Sequence, residues 1–147
     1  MKPEQMTMNI ETYHKCFEIC QKVKIARAGK VIRKWDYPAA IVSCADAWAN
    51  YANAEIESSG KAACNSYHKT PKLETALKAL GDIGSQSSIC NNYIGACAEP
   101  RAARIVMEKN PAIQVANLVF SYAYRPRTKT VLRHCRNCVN IFNIQNP

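Results

Sequence analysis

The chain has 147 residues, 48% hydrophobic and 21% charged, the size and composition of one globular domain able to bury its own core. Its 20 Lys and Arg against 11 Asp and Glu leave a net charge of +9, which favours a polyanion such as nucleic acid, or an acidic protein, as partner. No run of about 18 apolar residues is present and the first residues, MKPEQMTMNIETYHKCFE, lack the apolar centre of a secretory signal, so a soluble chain with no membrane partner is expected. A toxin or effector fragment cut from a longer polypeptide would read the same way.

In chain order, residues 9–28 predict a helix with Ile10, Tyr13, Phe17, Cys20 and Val23 on its buried stripe and Gly29 as its stop. Cys16 and Cys20, four apart, share a face and read as core thiols. Residues 38–57 open on Pro38, are rich in alanine and carry Ile41, Cys44, Trp48 and Tyr51 at helical spacing, which predicts a second helix. A loop over 58–72 and a short helix over 73–80, ended by Gly81, complete a helical N-terminal part, residues 1–85. Trp48, Tyr51 and Tyr67 read as core aromatics rather than base-stacking ones.

The second half changes character. SSICNNYIGA, residues 87–96, predicts a short strand or hairpin limb. AIQVANLVFSYAY, residues 112–124, predicts a strand with Phe120, Tyr122 and Tyr124 on one face, set off from the preceding helix by Asn110-Pro111. Strand, helix, strand, helix is the order of an α/β unit.

The eight cysteines permit a disulfide framework, but a chain of this length and apolar content folds without one, so metal or catalytic use carries more weight. In GACAEPRAAR, residues 95–104, Pro100 suits the first turn of a helix and places Cys97 and Glu99 at its N-terminal end, where the helix dipole and unpaired N–H groups favour a thiolate. In HCRNCVNIFN, residues 134–143, Cys135 and Cys138 fall at the start of a last helix, three residues apart. Three thiolates would bind zinc and leave its fourth position open to water, the mark of a catalytic site. Glu99, two residues from a ligand and not itself one, suits the transfer of a proton from that water to a leaving nitrogen. Cys16, Cys20, Cys44, Cys64 and Cys90 then remain, an odd number that argues against complete disulfide pairing.

Basic residues gather in two places: Lys22 to Lys34, and from Glu99 onward, where eight face two acids. Arg125 and Arg127 are candidates for phosphate contacts and Tyr124 for base stacking.

The pattern C-x-E…C-x-x-C resembles the zinc deaminase signature in a three-cysteine form. Its flanks, GACAEPRA and SYAYRPRTKTVLRHCRNC, resemble the YwqJ-like branch of bacterial toxin deaminases over residues 87–143, the expected zinc-binding catalytic core. The resemblance implies a cytidine deaminase-like α/β fold, a small mixed sheet flanked by helices, in one domain over 1–147. It also implies catalytic zinc and hydrolytic conversion of cytosine to uracil in nucleic acid, DNA favoured and single strands most accessible. Such domains are commonly toxin catalytic domains with an immunity protein as partner; a monomer acting in a target cell's cytoplasm is expected.

Two departures stand out. His134 occupies the position where the general signature has proline, as a surface residue, a base contact or an extra ligand, and a structural zinc shell closed by His134 or Cys90 is the corresponding alternative. Only nine residues follow Cys138, which implies a truncated C-terminal end. Two rival functions are a deaminase of free nucleosides, nucleotides or purines, and a non-enzymatic helical binding protein stabilised by zinc or disulfides.

Overall fold

The structure is a computed structural model that describes residues 3–47, 54–60, 66–144 and 146; Trp48, Tyr51 and Cys64 lie outside the described residues. Pro3–Ala26 forms helix α1. The chain leaves it through Gly29 at φ 75°, the left-handed conformation that glycine adopts without a Cβ clash. The buried stripe is rotated from the predicted one: Met8, Thr12, Cys16, Cys20 and Val23 face inward, while Ile10, Tyr13 and Phe17 are 55%, 38% and 47% exposed. The reason is polar. The Thr12 hydroxyl bonds the Met8 carbonyl at 2.7 Å and lies 3.0 Å from Ser43 Oγ and 3.3 Å from Ser121 Oγ, so a satisfied hydroxyl cluster occupies the centre of the buried face. Cys16 and Cys20 are buried free thiols, as expected of core cysteines.

Among the described residues, 38–47 and 54–57, the helix predicted over 38–57 is not formed. Its first part is strand β1, Ile41–Asp46, and its last is strand β2, Glu55–Ser58, paired antiparallel from Ile41↔Ser58 to Cys44↔Glu55. Residues 1–85 are therefore not a helical unit. β1 is covered on both faces: Ile41 and Ser43 meet α1, while Val42 and Cys44 join the core on the opposite side. A strand buried on both sides loses its two-residue alternation, so Ile41 and Cys44 matched a helical period by coincidence.

The strand predicted over 112–124 is broken into β3, Leu118–Phe120, and β4, Ala123–Arg125, after a 3₁₀ turn at Val115–Asn117. β3 pairs with β1 through Cys44↔Phe120, a register that would set Ala123 opposite Ile41; Tyr124 stands there instead. One extra residue at Ser121-Tyr122 makes a bulge. Ser121 Oγ takes the Ser43 N–H at 2.9 Å in place of a backbone carbonyl. The bulge also separates the aromatics expected on one face: Phe120 enters one core, whereas Tyr122 and Tyr124 pack toward α1.

Strand β5, Thr130–Leu132, completes a hairpin with β4. Among the described residues every strand pairing is antiparallel, which corrects the expected mixed sheet. Residues 87–96 form no strand; a single bridge joins Gln86 to Tyr93, and buried Ile94 closes the loop by donating its N–H to the Ser85 carbonyl at 2.8 Å.

Helices α2, Pro71–Lys78, α3, Ala98–Lys109, and α4, Arg136–Phe142, follow the expected order. Leu73 and Leu77 of α2, Ala102, Ala103 and Val106 of α3, and Cys138 and Phe142 of α4 share one core with β1 and β3, and Phe142 meets Phe120 at 4.7 Å between ring centroids. The chain is thus mixed α/β, a small antiparallel sheet with α1 on one face and the other helices on the opposite one. Among the described residues no helix is long and apolar enough to cross a membrane.

Candidate metal centre

Two helix starts converge at one point. Cys97 is the N-cap of α3 and Cys135 the N-cap of α4, both with extended backbone (φ −65°, ψ 160° and φ −69°, ψ 157°). Pro100 sits in the first turn of α3, where a missing N–H leaves no helical bond unmade. Cys138, in the first turn of α4, is buried beneath them. The sulfurs of Cys97 and Cys135 are 3.3 Å apart and those of Cys135 and Cys138 are 3.4 Å apart. All three lie within 4.8 Å of one another, close enough to hold one metal ion.

The surroundings fix this geometry. Just before Cys97 the chain turns at Gly95, φ 87°, whose carbonyl accepts the buried Tyr67 hydroxyl at 2.6 Å. Beside Cys138, buried Asn137 donates to the Asn92 carbonyl at 3.2 Å and accepts the Ser87 hydroxyl, which ties the 87–92 loop to α4.

Three thiols at this spacing share protons. Hydrogen bonding with Cys138 and then Cys97 draws Cys135 down to about 2. Cys97 is pushed up, chiefly by its hydrogen bond to Cys135, and Cys138 well up by hydrogen bonds to Cys135 and Cys97 and by burial. Of the three sulfurs, Cys135 is the one whose ionisation its neighbours favour.

Glu99 is 4% exposed in the first turn of α3 and stands outside the sulfur group. Its Oε2 lies 3.0 Å from His134 Nδ1, leaving Oε1 outside that bond. His134, 4% exposed, is not a surface residue, and neither it nor Cys90 is a member of the ligand group. Its Nε2 is buried without a hydrogen-bond partner among the described residues, so Nδ1–H donating to the carboxylate is the tautomer assigned.

Cys97, Cys135 and Glu99 line one cleft of ≈ 460 Å³ together with Tyr93, Arg125 and Arg133. Of the residues expected to meet substrate, Arg125 is here, at the exposed end of β4. Arg127 lies in the β4–β5 turn and lines an adjoining cleft. Tyr124 is in neither: it is 7% exposed and packs on Cys16 and Ile41, because the bulge turns it toward α1. A base has no face of Tyr124 to stack on.

Tyr93, Arg133 and His134 are cleft or site residues that motif reading did not assign to these roles. The available signal was adjacency: Arg133 and His134 immediately precede the helix-capping Cys135, and Tyr93 lies four residues before Cys97. Comparison with protein-family models, curated proteins and solved structures finds no match to this chain.

Proposed function

We propose that this chain is a zinc-dependent hydrolytic deaminase that converts cytosine to uracil in nucleic acid. The observation that carries the reading is the meeting of three cysteine sulfurs, two of them lining the same cleft as the buried Glu99. The donor set fits zinc. Tetrahedral zinc with Zn–S of about 2.3 Å sets its sulfurs roughly 3.8 Å apart, a few tenths of an ångström wider than the spacings of 3.3 and 3.4 Å seen here. Three protein ligands leave a fourth position, and among the described residues no further Cys, His, Asp or Glu joins the group.

Zinc held by Cys97, Cys135 and Cys138 supplies Lewis acidity that brings the pKa of water from about 15.7 toward 7. Glu99 takes the proton of the attacking water on its carboxylate and passes it to the amino nitrogen of cytosine. Water oxygen bonds to C4, the C4–N4 bond breaks, and ammonia and uracil are the products. His134 Nδ1 holds the Glu99 carboxylate in place through Oε2. Arg125 and Arg133 give the cleft a positive wall against the phosphates of the strand that carries the base. Toxin delivery and an immunity partner are supported by the motif resemblance alone.

The test is sequencing of cytosine-to-uracil conversion on single-stranded DNA, duplex DNA and RNA, with the native chain and Glu99→Ala. Conversion by the native, zinc-loaded chain alone is expected. Absence of conversion on all three from a folded, loaded sample refutes the reaction.

A further inference from the structure

The cleft at the metal centre does not end there. It shares Ala39, Ser59, Gly60 and Arg125 with a second cleft of ≈ 720 Å³, so the two form one groove with Arg125 at the junction. Ala123 and Arg125 line it from β4, and Arg127 lines it from the turn that follows. The far arm is walled by Lys34, Trp35 and Arg127.

Trp35 is the unusual member, because 63% of its surface is exposed. It projects from a 3₁₀ turn, Lys34–Asp36, that is pinned from outside: Asp36 Oδ2 accepts the Arg33 N–H at 2.7 Å and pairs with Arg27 Nε at 3.6 Å. The Arg33 guanidinium lies 5.3 Å from the indole centroid, a cation–π contact that steadies the ring. Asp36, the acid of this arm, is thereby already paired, and the charges left along the wall are Lys34, Arg125 and Arg127, all exposed. A steadied, exposed indole beside three cations matches how unpaired strands are held: bases stack on an aromatic ring and the backbone follows the positive charge.

We propose that this arm is a second binding subsite, in which a base flanking the one at the metal centre stacks on Trp35 while Lys34, Arg125 and Arg127 face the phosphates. The substrate is then an unpaired strand. A mononucleotide does not reach the second arm, and a base inside a duplex has no free face to offer. The assignment rests on reading the metal cleft as the base pocket, but it is tested without that chemistry.

The probes are fluorescently labelled oligothymidylate and oligouridylate of about twelve nucleotides, which contain no cytosine. Binding to the zinc-loaded chain is followed by anisotropy across a salt series. Trp35→Ala is expected to weaken binding of the preferred strand about 5- to 150-fold, the range for one stacked base, with the salt dependence unchanged. Trp35→Phe retains most of the affinity, and Arg127→Ala lowers the salt slope by roughly 0.7. Circular dichroism checks the fold, and the Phe and Arg127 variants carry the test if the alanine variant does not fold. The proposal is overturned if Trp35→Ala binds within twofold of the native chain, if neither strand binds, or if thymidine monophosphate or the matching duplex binds as tightly as the strand. Strand binding through Trp35 without cytosine conversion supports the subsite and removes the reaction; conversion with unchanged binding by Trp35→Ala removes the subsite alone.

Discussion

Zinc binding to this chain at pH 7 should release two protons. Exposed, independent thiols with a pKa of about 8.5 are only about 3% ionised at that pH, so three of them would release nearly three protons on becoming thiolate ligands. Here the sulfurs lie 3.3 and 3.4 Å apart. Two negative charges at that spacing repel by on the order of 5 kcal/mol at an effective dielectric constant of 20, more than three pH units. A second thiolate is thus disfavoured near neutral pH until a cation arrives, while the first is favoured at Cys135, which is hydrogen-bonded to both Cys138 and Cys97. With that one charge in place, two protons remain to leave. Titration calorimetry with zinc in buffers of different ionisation enthalpy reads this number directly. Apparent affinity should also rise about a hundredfold per pH unit around neutrality, and Cys138→Ser should abolish tight binding. Release of three protons would show that the sulfurs are not held together before the metal arrives, and would refute the preformed cluster.

Other consequences follow from the same geometry. Cys16 is raised to about 11 by burial and by neighbouring Cys20, and Cys44 well above its ordinary value by burial and by Asp46 and Glu55. The folded chain keeps these thiol protons while the unfolded chain loses them near pH 9, so stability should fall between about pH 9 and 11 in chemical denaturation, with Cys16→Ala flattening the fall. Alkylation with iodoacetamide followed by mass spectrometry should leave Cys16 and Cys44 unmodified in the folded state and label Cys90. Cys97 and Cys135 should become reactive only after chelation. Leu77→Ala removes a fully buried side chain shared by the core and should cost about 2–5 kcal/mol, roughly 4–20 °C in thermal melting. Tyr67→Phe deletes the bond to the Gly95 carbonyl and should cost about 1–3 kcal/mol with weaker zinc affinity, whereas unchanged zinc affinity would mean that this bond does not position Cys97.

The candidate site was more legible than the fold, for a local reason. Pro100 in a first turn and the three-residue step from Cys135 to Cys138 both act within one helical turn, so the capping positions of the cysteines followed from sequence. Helix α1 was legible as a helix, but its inward face was not. Thr12 is buried because Ser43 and Ser121, from two distant strands, meet its hydroxyl, and apolar spacing carries no sign of such a meeting. The misread segment at 41–58 fails for a related reason: cover on both faces of β1 comes from α1 and α3, and neither is visible from within the strand.

By itself, then, the sequence determined the charge, the helix ends that present Cys97, Glu99, Cys135 and Cys138, and the glycine stop at Gly29. Only the tertiary structure decided that the three sulfurs meet across 38 residues of chain, that His134 turns inward to Glu99, and that Tyr124 is core. It also brought Trp35, rather than a residue near the motif, to the groove wall. Local signals act over one turn or one hairpin, whereas these placements depend on which surfaces the sheet brings together, and a single extra residue at Ser121-Tyr122 is enough to reverse a face.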